Sequence, residues 1–336
     1  METKQFEFGE NSDFIQWLKE NKDVESLILK GLIPLRVANE LSEAILDSNI
    51  TRVNVLDCEI DCEFSVAIPE DESYLDILMS EYEWDGCLYP VIVKLICNKS
   101  YAQTFLIENH CVLSDDKKVL IHMPDEKNIT VANGVESIGI SAFHGYKVQK
   151  VILPNSLKKI SDRAFQWCES LNVIDIPDSV KELGKKSFSY GGDELHITLP
   201  KFLEEIPICC FRCTYLASMN MPPYLKAIRS GNALNFENTF DVVLPEGFES
   251  LEDDTFNIVD SIYLPSTVKE VAPDWYYEDI VGFCGDMIPK VWISPDNPNF
   301  DMFKKKLHPE HQIEQVRLAE LPKKCEKWRK KLPKTR

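Results

Sequence analysis

Short apolar segments in which every second residue shares one face recur along the middle of the chain. Alternation with a period of two predicts β-strands, and the outer two residues of each triplet are expected to point into the protein. A proline follows each triplet, where it ends the strand because it has no N–H for the ladder. The six triplets are Val151-Ile152-Leu153, Ile174-Asp175-Ile176, Ile197-Thr198-Leu199, Met219-Asn220-Met221, Val242-Val243-Leu244 and Ile262-Tyr263-Leu264.

Two further apolar series run in phase with the prolines, which recur every 20 to 23 residues. The aliphatic series falls six positions after each proline site, at Ile138, Ile160, Leu183, Ile206, Ile228, Leu251 and Val271. The aromatic series consists of Phe143, Phe165, Phe188, Phe211 and Phe256. Three series with one period predict identical coils stacked into a solenoid, because one coil cannot bury its own apolar face.

The residues of these coils resemble the BspA-like, or Treponema-type, leucine-rich repeat. The likeness is carried by Ala164 to Leu171 with Ile174 to Leu183, and Val151 to Phe165 repeats the pattern. Cys111 to Pro124 resembles the hairpin-like insert that precedes coils in that family. The resemblance covers roughly residues 105–300, although Asn232–Asn238 and Tyr276–Pro289 depart from the consensus.

This resemblance implies an α/β leucine-rich-repeat solenoid of stacked short parallel strands with short helices and loops. Members of the family are typically interaction proteins, and many are exposed at the cell surface. A protein partner is therefore implied, and no cofactor. We expect the solenoid to span residues 101–300, between an N-terminal α/β region at 1–100 and a C-terminal cap with a basic tail at 301–336.

The first hundred residues predict a β-α-β unit. A helix is expected at residues 12–22 with Ser12 as its cap, and a second from Leu35 to Leu46. Strands are expected at Ser26–Leu29 and Arg52–Val55, and Tyr89 to Cys97 has the continuous apolar character of a buried strand. The unit is either a divergent start of the solenoid or a separate small cap.

Charge and apolar patterning restrict the partner and the location. The net charge of -18 disfavours nucleic acid as a partner, since acids dominate the first hundred residues and bases only residues 304–336. The first ten residues lack the basic start and apolar run of an export signal, and no apolar stretch is long enough to cross a bilayer. A soluble cytoplasmic protein is expected, or one at the cell surface if an export signal was removed.

The sequence contains no recognisable catalytic, phosphate-binding or dinucleotide-binding signature, so we expect no enzyme activity and no cofactor. The closest approach to a zinc site is Cys209, Cys210 and Cys213. The repeat favours another interpretation, in which Cys213 matches Cys168 in register and both thiols pack inside their coils. Cys58 and Cys62 are either structural or catalytic, and the structural alternative is favoured. His308 and His311 are either a metal-binding pair or part of a solvated turn, and the turn is favoured. We therefore expect no bound metal, and expect the eleven cysteines to be reduced.

Outward positions of successive strands in a solenoid form continuous rows, and these rows are the predicted binding site. Two residues before each proline site, the row contains Thr130, Ile152, Asp175, Thr198, Asn220, Val243, Tyr263 and Trp292. Four residues before it, the row contains Asn128, Lys150, Val173, His196, Ser218, Asp241, Ser261 and Lys290. Exposed Tyr263 and Trp292 are expected to anchor a partner while the polar side chains fix its register. The alternative is that these residues are simply strand formers that tolerate solvent.

Three functions remain open on the sequence alone. The first is a non-catalytic protein-binding module or scaffold that uses the strand face. The second is an enzyme with its chemistry in the N-terminal α/β region, which a deep polar pocket there would favour. The third is a cell-surface adhesin.

Overall fold

The computed structural model describes residues 2–9, 12–61, 90–192, 194–232, 234–236, 241–256, 259, 261–273, 290–307 and 312–321. The described residues contain two large apolar cores, one in the N-terminal unit and one running through the coils. Among the described helices, none is long and apolar enough to cross a membrane.

The N-terminal unit alternates parallel strands with helices, as predicted. Its elements are β1 (Thr3–Phe8), α1 (Phe14–Glu20), β2 (Ser26–Pro34), a 3-10 turn (Leu35–Val37), α2 (Ala38–Leu46) and β3 (Arg52–Asp61). The strands β1, β2 and β3 are parallel neighbours. The predicted cap is wrong by one residue, because the Asp13 carboxylate accepts the amide of Gln16 at 2.9 Å while the Ser12 hydroxyl donates to the Gly9 carbonyl.

The segment predicted as a buried strand at Tyr89–Cys97 is instead a helix, α3 (Val91–Cys97). All seven of its side chains are buried, because the helix packs between α2 and β3. A short, continuously apolar run has no period that separates a buried strand from a buried helix. The Ser42 hydroxyl of α2 accepts the Ile92 amide at 3.0 Å, which fixes the start of α3.

An antiparallel hairpin joins this unit to the coils, in agreement with the predicted insert. Its strands are β4 (Thr104–Glu108), β5 (Cys111–Ser114) and β6 (Val119–His122), and β4 pairs back to β3. On its other side, β6 pairs in parallel with the first short strand of the coils. One sheet therefore runs from the N-terminus into the solenoid without interruption.

The predicted solenoid is confirmed, and its strand face is built of parallel strands. One sheet contains β7 (Asn128–Thr130), β9 (Lys150–Ile152), β11 (Val173–Asp175), β13 (Leu195–Thr198), β15 (Tyr215–Met219) and β17 (Asn235–Phe236). The next contains β18 (Asp241–Val243), β20 (Ser261–Leu264), β22 (Lys290–Ile293) and β23 (Ile313–Gln315). The inward residues Ile174, Ile197 and Val242 are all buried, as the alternation predicts.

Two-residue strands form a second ladder on another side of the coils. They are β8 (Ser137–Ile138), β10 (Lys159–Ile160), β12 (Glu182–Leu183), β14 (Glu205–Ile206), β16 (Ala227–Ile228), β19 (Ser250–Leu251) and β21 (Glu270–Val271). Each contains one member of the predicted aliphatic series. A short helix, α4 (Phe300–Lys306), follows the last described coil and buries Phe303 in the core.

The predicted phenylalanine series forms a stack inside the coils. Phe143, Phe165, Phe188 and Phe211 lie ring on ring, with centroids 4.8, 5.2 and 5.6 Å apart and planes within 13° of parallel. All four are buried, so one ring fills the space behind the sheet in each coil. The solenoid thus repeats at the level of single side chains.

Candidate functional site

The outward positions of the strand face align as predicted. Direct strand pairing brings Asn128, Lys150, Val173, His196 and Ser218 into one row. Pairing also joins Thr130 to Ile152 and Asp175 to Thr198 in the second row. Beyond the break between the two sheets, Asp241 aligns with Ser261 and Lys290, and Val243 aligns with Tyr263 and Trp292.

The first half of the strand face is open to solvent. We define the open end as Lys150, Ile152, Val173, Asp175, His196, Thr198, Ser218 and Asn220, all of which are exposed or half-buried. Ile152 is 51% exposed, which is high for an isoleucine on a strand. This end combines a base, an acid, neutral hydrogen-bonding groups and two apolar side chains.

Hydrogen bonds between neighbouring coils hold the polar side chains of the open end in place. The Thr198 hydroxyl donates to the Asp175 carboxylate at 2.6 Å, and His196 Nδ1 lies 2.8 Å from the Ser218 hydroxyl. The Asn220 amide accepts from the Leu199 N–H and donates to its carbonyl. Side chains that are already ordered lose less conformational entropy when a partner binds.

The second half of the strand face is covered by the chain itself, which corrects the predicted aromatic anchor. Tyr263 is 2% exposed and Trp292 is 7% exposed. Both pack with Val243 against Val316 and Leu321. We call this the covered end. Its cover begins with β23, which pairs with β22 and places Glu314 beside Trp292.

The prediction that Tyr263 and Trp292 are exposed is wrong, because a side chain that points out of its coil can still be covered by another part of the chain. Tyr263 and Trp292 do point out of the coil, but residues 313–321 fold across them. Ser261 in the other row is also buried. Burial raises the pKa of the Tyr263 hydroxyl, in keeping with a structural position.

Sequence reasoning missed an exposed aromatic pair beside the open end. Phe202 and Tyr224 stand in consecutive turns, each two residues after its proline, and their rings stack with centroids 5.5 Å apart. They are 49% and 52% exposed. The sequence did contain a signal, because the residue two positions after the proline site is serine, threonine or glycine in the other coils.

The predicted match of Cys213 to Cys168 in the repeat is wrong by one residue. The Cys168 thiol donates to the Phe143 carbonyl at 3.0 Å, and the equivalent donor two coils on is the Thr214 hydroxyl, to the Phe188 carbonyl at 2.6 Å. Cys213 is exposed, whereas Cys210 is buried against the Ser187 hydroxyl.

Burial disfavours ionisation of two thiols that the structure describes. It raises the pKa of Cys58 and of Cys210 to about 12, which disfavours the thiolate that binds metals. In the described ranges, no three His, Cys, Asp or Glu side chains are placed to share a metal ion. Cys62, His308, His311 and the basic tail from Lys323 lie outside the described residues.

A fully buried lysine joins the N-terminal unit to the first coil. Lys94 Nζ donates to the Ala142 carbonyl at 2.7 Å and lies 4.5 Å from the centre of the Tyr146 ring. The Tyr146 hydroxyl contacts the Met123 carbonyl at 2.6 Å and His122 Nδ1 at 2.7 Å. Burial lowers the pKa of Lys94 to about 7, and burial with the nearby Lys94 charge lowers that of His122 to about 2.

The N-terminal unit has a cleft of its own, of about 780 Å³. It lies where β1, β2 and β3 end, and its polar lining includes Asp13, Arg36, Glu40 and Asp61. Clefts at the carboxyl ends of parallel strands are common ligand sites. The cleft is the kind of feature that the enzyme hypothesis requires.

Comparison with protein-family models identifies the repeats. The family described as "BspA type Leucine rich repeat region" matches residues 122–239, in six copies. No curated protein sequence matches the chain significantly.

Several solved structures are similar to part of this chain. A leucine-rich repeat protein from Bacteroides ovatus is 20% identical, with a TM-score of 0.32, over 50% of this chain and 55% of that one. The pneumococcal vaccine antigen PcpA is 16% identical, with a TM-score of 0.37, over 88% of this chain and 60% of that one. A leucine-rich cell surface protein from Faecalibacterium prausnitzii is 22% identical, with a TM-score of 0.23, over 44% and 56%.

This chain therefore spans little more than half the length of these three proteins. The match to residues 122–239 falls on the coils that contain the phenylalanine stack. Residues 122–239 of this chain are therefore a BspA-type leucine-rich repeat region.

Proposed function

We propose that the chain is a non-catalytic protein-binding module that docks its partner on the open end of the strand face. The observation that carries this proposal is the contrast in exposure along one face. Ile152 and its polar neighbours are exposed, whereas the equivalent aromatic residues of the covered end are already buried by the chain's own C-terminal segment.

The open end has the chemistry of a protein interface rather than of a catalytic site. Ile152 and Val173 offer apolar area, and Lys150, Asp175, His196, Thr198 and Asn220 surround them with polar groups. Successive strands place equivalent side chains about 4.8 Å apart, so a partner meets a regular row of contacts. Apolar contacts supply affinity in such an arrangement, and ordered polar groups supply specificity.

Asp241 and Val243 mark the border of this surface. They begin the second sheet, and Val243 packs against the covered pair of Tyr263 and Trp292. We assign these two aromatic residues a structural role, in which they hold the C-terminal segment on the solenoid.

Affinity capture tests the proposal. The full chain is immobilised and incubated with an extract of its source cells, and captured proteins are identified by mass spectrometry. A variant with Ile152→Ala and Asp175→Ala should lose the specific partner. A matched variant with Lys159→Ala and Glu182→Ala, on the second ladder, should retain it. Equal capture by the two variants would contradict the proposed surface.

The predicted cytoplasmic location stays a prediction, with the cell surface as its alternative. A membrane-impermeant biotin reagent applied to intact source cells separates them, because only a surface protein becomes labelled before lysis.

The N-terminal cleft supports a second candidate function, binding or conversion of a small molecule. Arg36 and the carboxylates Asp13, Glu40 and Asp61 provide groups of both charges at its lining. A thermal-shift screen of charged metabolites tests this candidate. A ligand that raises the melting temperature of the wild type, but not of Arg36→Ala, would support it.

A further inference from the structure

The exposed aromatic pair Phe202–Tyr224 occupies a turn position that has a different use in other coils. In two of the other coils, the residue two after the proline is a serine or threonine whose hydroxyl binds the neighbouring coil. The Ser156 hydroxyl donates to the Val135 carbonyl at 2.8 Å, and the Thr267 hydroxyl donates to the Phe248 carbonyl at 2.8 Å. Two consecutive coils have replaced this bond with large rings that are half exposed.

The pair carries a cation at one end. Lys201 Nζ lies over the Phe202 ring, 5.2 Å from its centre. Tyr224 stacks on Phe202, with 20° between the ring planes. Because Phe202 lies in the preceding coil, the other face of the Tyr224 ring is turned toward the coil that follows.

The next coil has no side chain at the equivalent position, which is Gly247. The two coils are direct neighbours, since the Glu249 amide donates to the Lys226 carbonyl at 2.7 Å and Ala227 pairs with Ser250. A Cβ built on Gly247 would meet nothing within 4 Å, and its φ of +98° disfavours a side chain there.

The following coil supplies the far wall of this gap. The Gly247 amide donates to the Thr267 hydroxyl at 2.9 Å, so Thr267 stands directly beyond the glycine. The result is an open slot with Tyr224 on one side, Thr267 on the other and Gly247 as its floor. Two coil spacings of about 4.8 Å leave room for one flat group between these walls.

An acidic group borders the slot. Glu246 precedes Gly247, is exposed, and accepts the Ser266 hydroxyl at 2.9 Å, which orders its carboxylate and leaves acceptor capacity free for a partner. The whole chain is also strongly acidic, with a net charge of -18. Both observations favour a cationic ligand over a neutral or anionic one.

We propose that this slot binds the guanidinium group of an arginine on the protein partner. A guanidinium is flat, stacks on aromatic faces and forms paired hydrogen bonds to a carboxylate. It would lie on the outer face of Tyr224, above Gly247, and pair with Glu246. This inference rests on the proposed protein-binding function and names one feature of the partner.

Two basic peptides of equal length and charge test it. Oligoarginine and oligolysine are titrated into the full chain, and binding is followed by isothermal calorimetry together with the NMR signals of the Gly247 amide and the Tyr224 ring. Oligoarginine should bind roughly two- to fivefold more tightly, the effect expected of one exposed cation–π contact with one exposed ion pair. Its binding should also shift both NMR signals.

Three variants complete the test. Tyr224→Ser should bring the two peptides to equal affinity, and Glu246→Gln should reduce the difference. Tyr215→Ser removes a tyrosine of similar exposure, 48%, from a strand outside the slot and should leave the difference intact. All three positions are at the surface, so the core amide signals should be unchanged.

Equal affinities of the two peptides for the wild type would overturn the proposal that the slot binds arginine. A preference for oligoarginine that survives Tyr224→Ser would overturn it as well. Saturable binding of a neutral oligosaccharide that moves the same two signals more than oligoarginine does would also overturn it. Partner capture lost on Ile152→Ala with Asp175→Ala would still support the proposed function in each case.

Discussion

Ile152 and Trp292 occupy the same row of the strand face, each two residues before its turn, yet Ile152 is 51% exposed and Trp292 only 7%. Local backbone direction is the same at both positions, because each strand is paired in parallel register with its neighbours. The difference comes from residues 313–321, which lie over the last strands and leave the earlier ones open.

The comparison separates two properties of a side chain in a repeat, its outward direction and its exposure to solvent. Register determines which side chains face outward, and it is encoded within each coil. Exposure depends on whether a distant part of the chain returns to the same face. The open end therefore remains available to a partner, while the covered end forms a small apolar cluster of its own.

The largest expected effect is on stability at the covered end. Trp292→Ala removes a buried ring from its contacts with Tyr263 and Leu321, and should lower the free energy of unfolding by about 3 kcal/mol. Ile152→Ala removes an exposed side chain, and should change it by less than about 0.5 kcal/mol. Urea denaturation followed by circular dichroism measures both.

Similar losses of unfolding free energy in Trp292→Ala and Ile152→Ala would contradict the contrast between the two ends. Ile33→Ala, in the N-terminal core, provides a reference for the loss expected of a fully buried residue in the same chain.

Removal of the cover is expected to have the next largest effect. Deletion of residues 312–336 should expose Tyr263 and Trp292, reduce stability by roughly 2 kcal/mol and shift tryptophan emission to longer wavelength. Deletion of residues 322–336 alone keeps Val316 and Leu321, and is the matched control. An unchanged emission spectrum in the longer deletion would show that other residues bury Trp292.

How far the sequence predicted the molecule can be judged at particular residues. The positions of Ile174, Ile197 and Val242 inside the coils followed from alternation, and the stack of Phe143 to Phe211 followed from a shared period. These features depend on neighbours within one or two coils, so the repeat contains their cause.

Features that depend on distant residues were not predictable in the same way. The burial of Tyr263 depends on Val316, and the helix at Val91–Cys97 depends on the surfaces of α2 and β3. Arg163 and Lys186 adopt positive φ angles, 56° in both, without the glycine that usually marks them. Their amides donate to the Lys185 and Ile208 carbonyls of the next coil, which holds that conformation.

The other boundary of the solenoid should show a pH effect that is smaller for each single pH unit. Lys94 has a pKa of about 7 when folded, against 10.5 for an ordinary lysine, so between these values the unfolded chain binds more protons. The contribution of Lys94 should therefore make stability rise from pH 7 to pH 10, by at most about 1.4 kcal/mol per pH unit. Below pH 7 its unfavourable contribution is complete and constant.

Lys94→Met should flatten that rise, measured as the difference in unfolding free energy between variant and wild type at each pH. The His122 contribution lies in a separate window, because its folded pKa of about 2 is below the ordinary 6.5, so it weakens the protein as pH falls through 6.5. A difference between variant and wild type that is constant from pH 7 to pH 10 would contradict the Lys94 assignment.

The smallest expected effect on stability is at the open end. Thr198→Val removes the hydrogen bond to Asp175 on a solvated surface, and should change the unfolding free energy by less than about 0.5 kcal/mol. The same change should weaken capture of the partner, because it releases the Asp175 side chain. Thermal denaturation and quantitative capture of the same sample distinguish the two effects.

The most direct test of the central claim is hydroxyl-radical footprinting of the intact chain, with oxidation of each aromatic residue measured by mass spectrometry. An open end beside a covered end predicts rapid oxidation at Tyr215 and Tyr224, and protection at Tyr263 and Trp292. Oxidation of Tyr263 and Trp292 at the rate of Tyr224 would contradict the account, because the whole strand face would then be open.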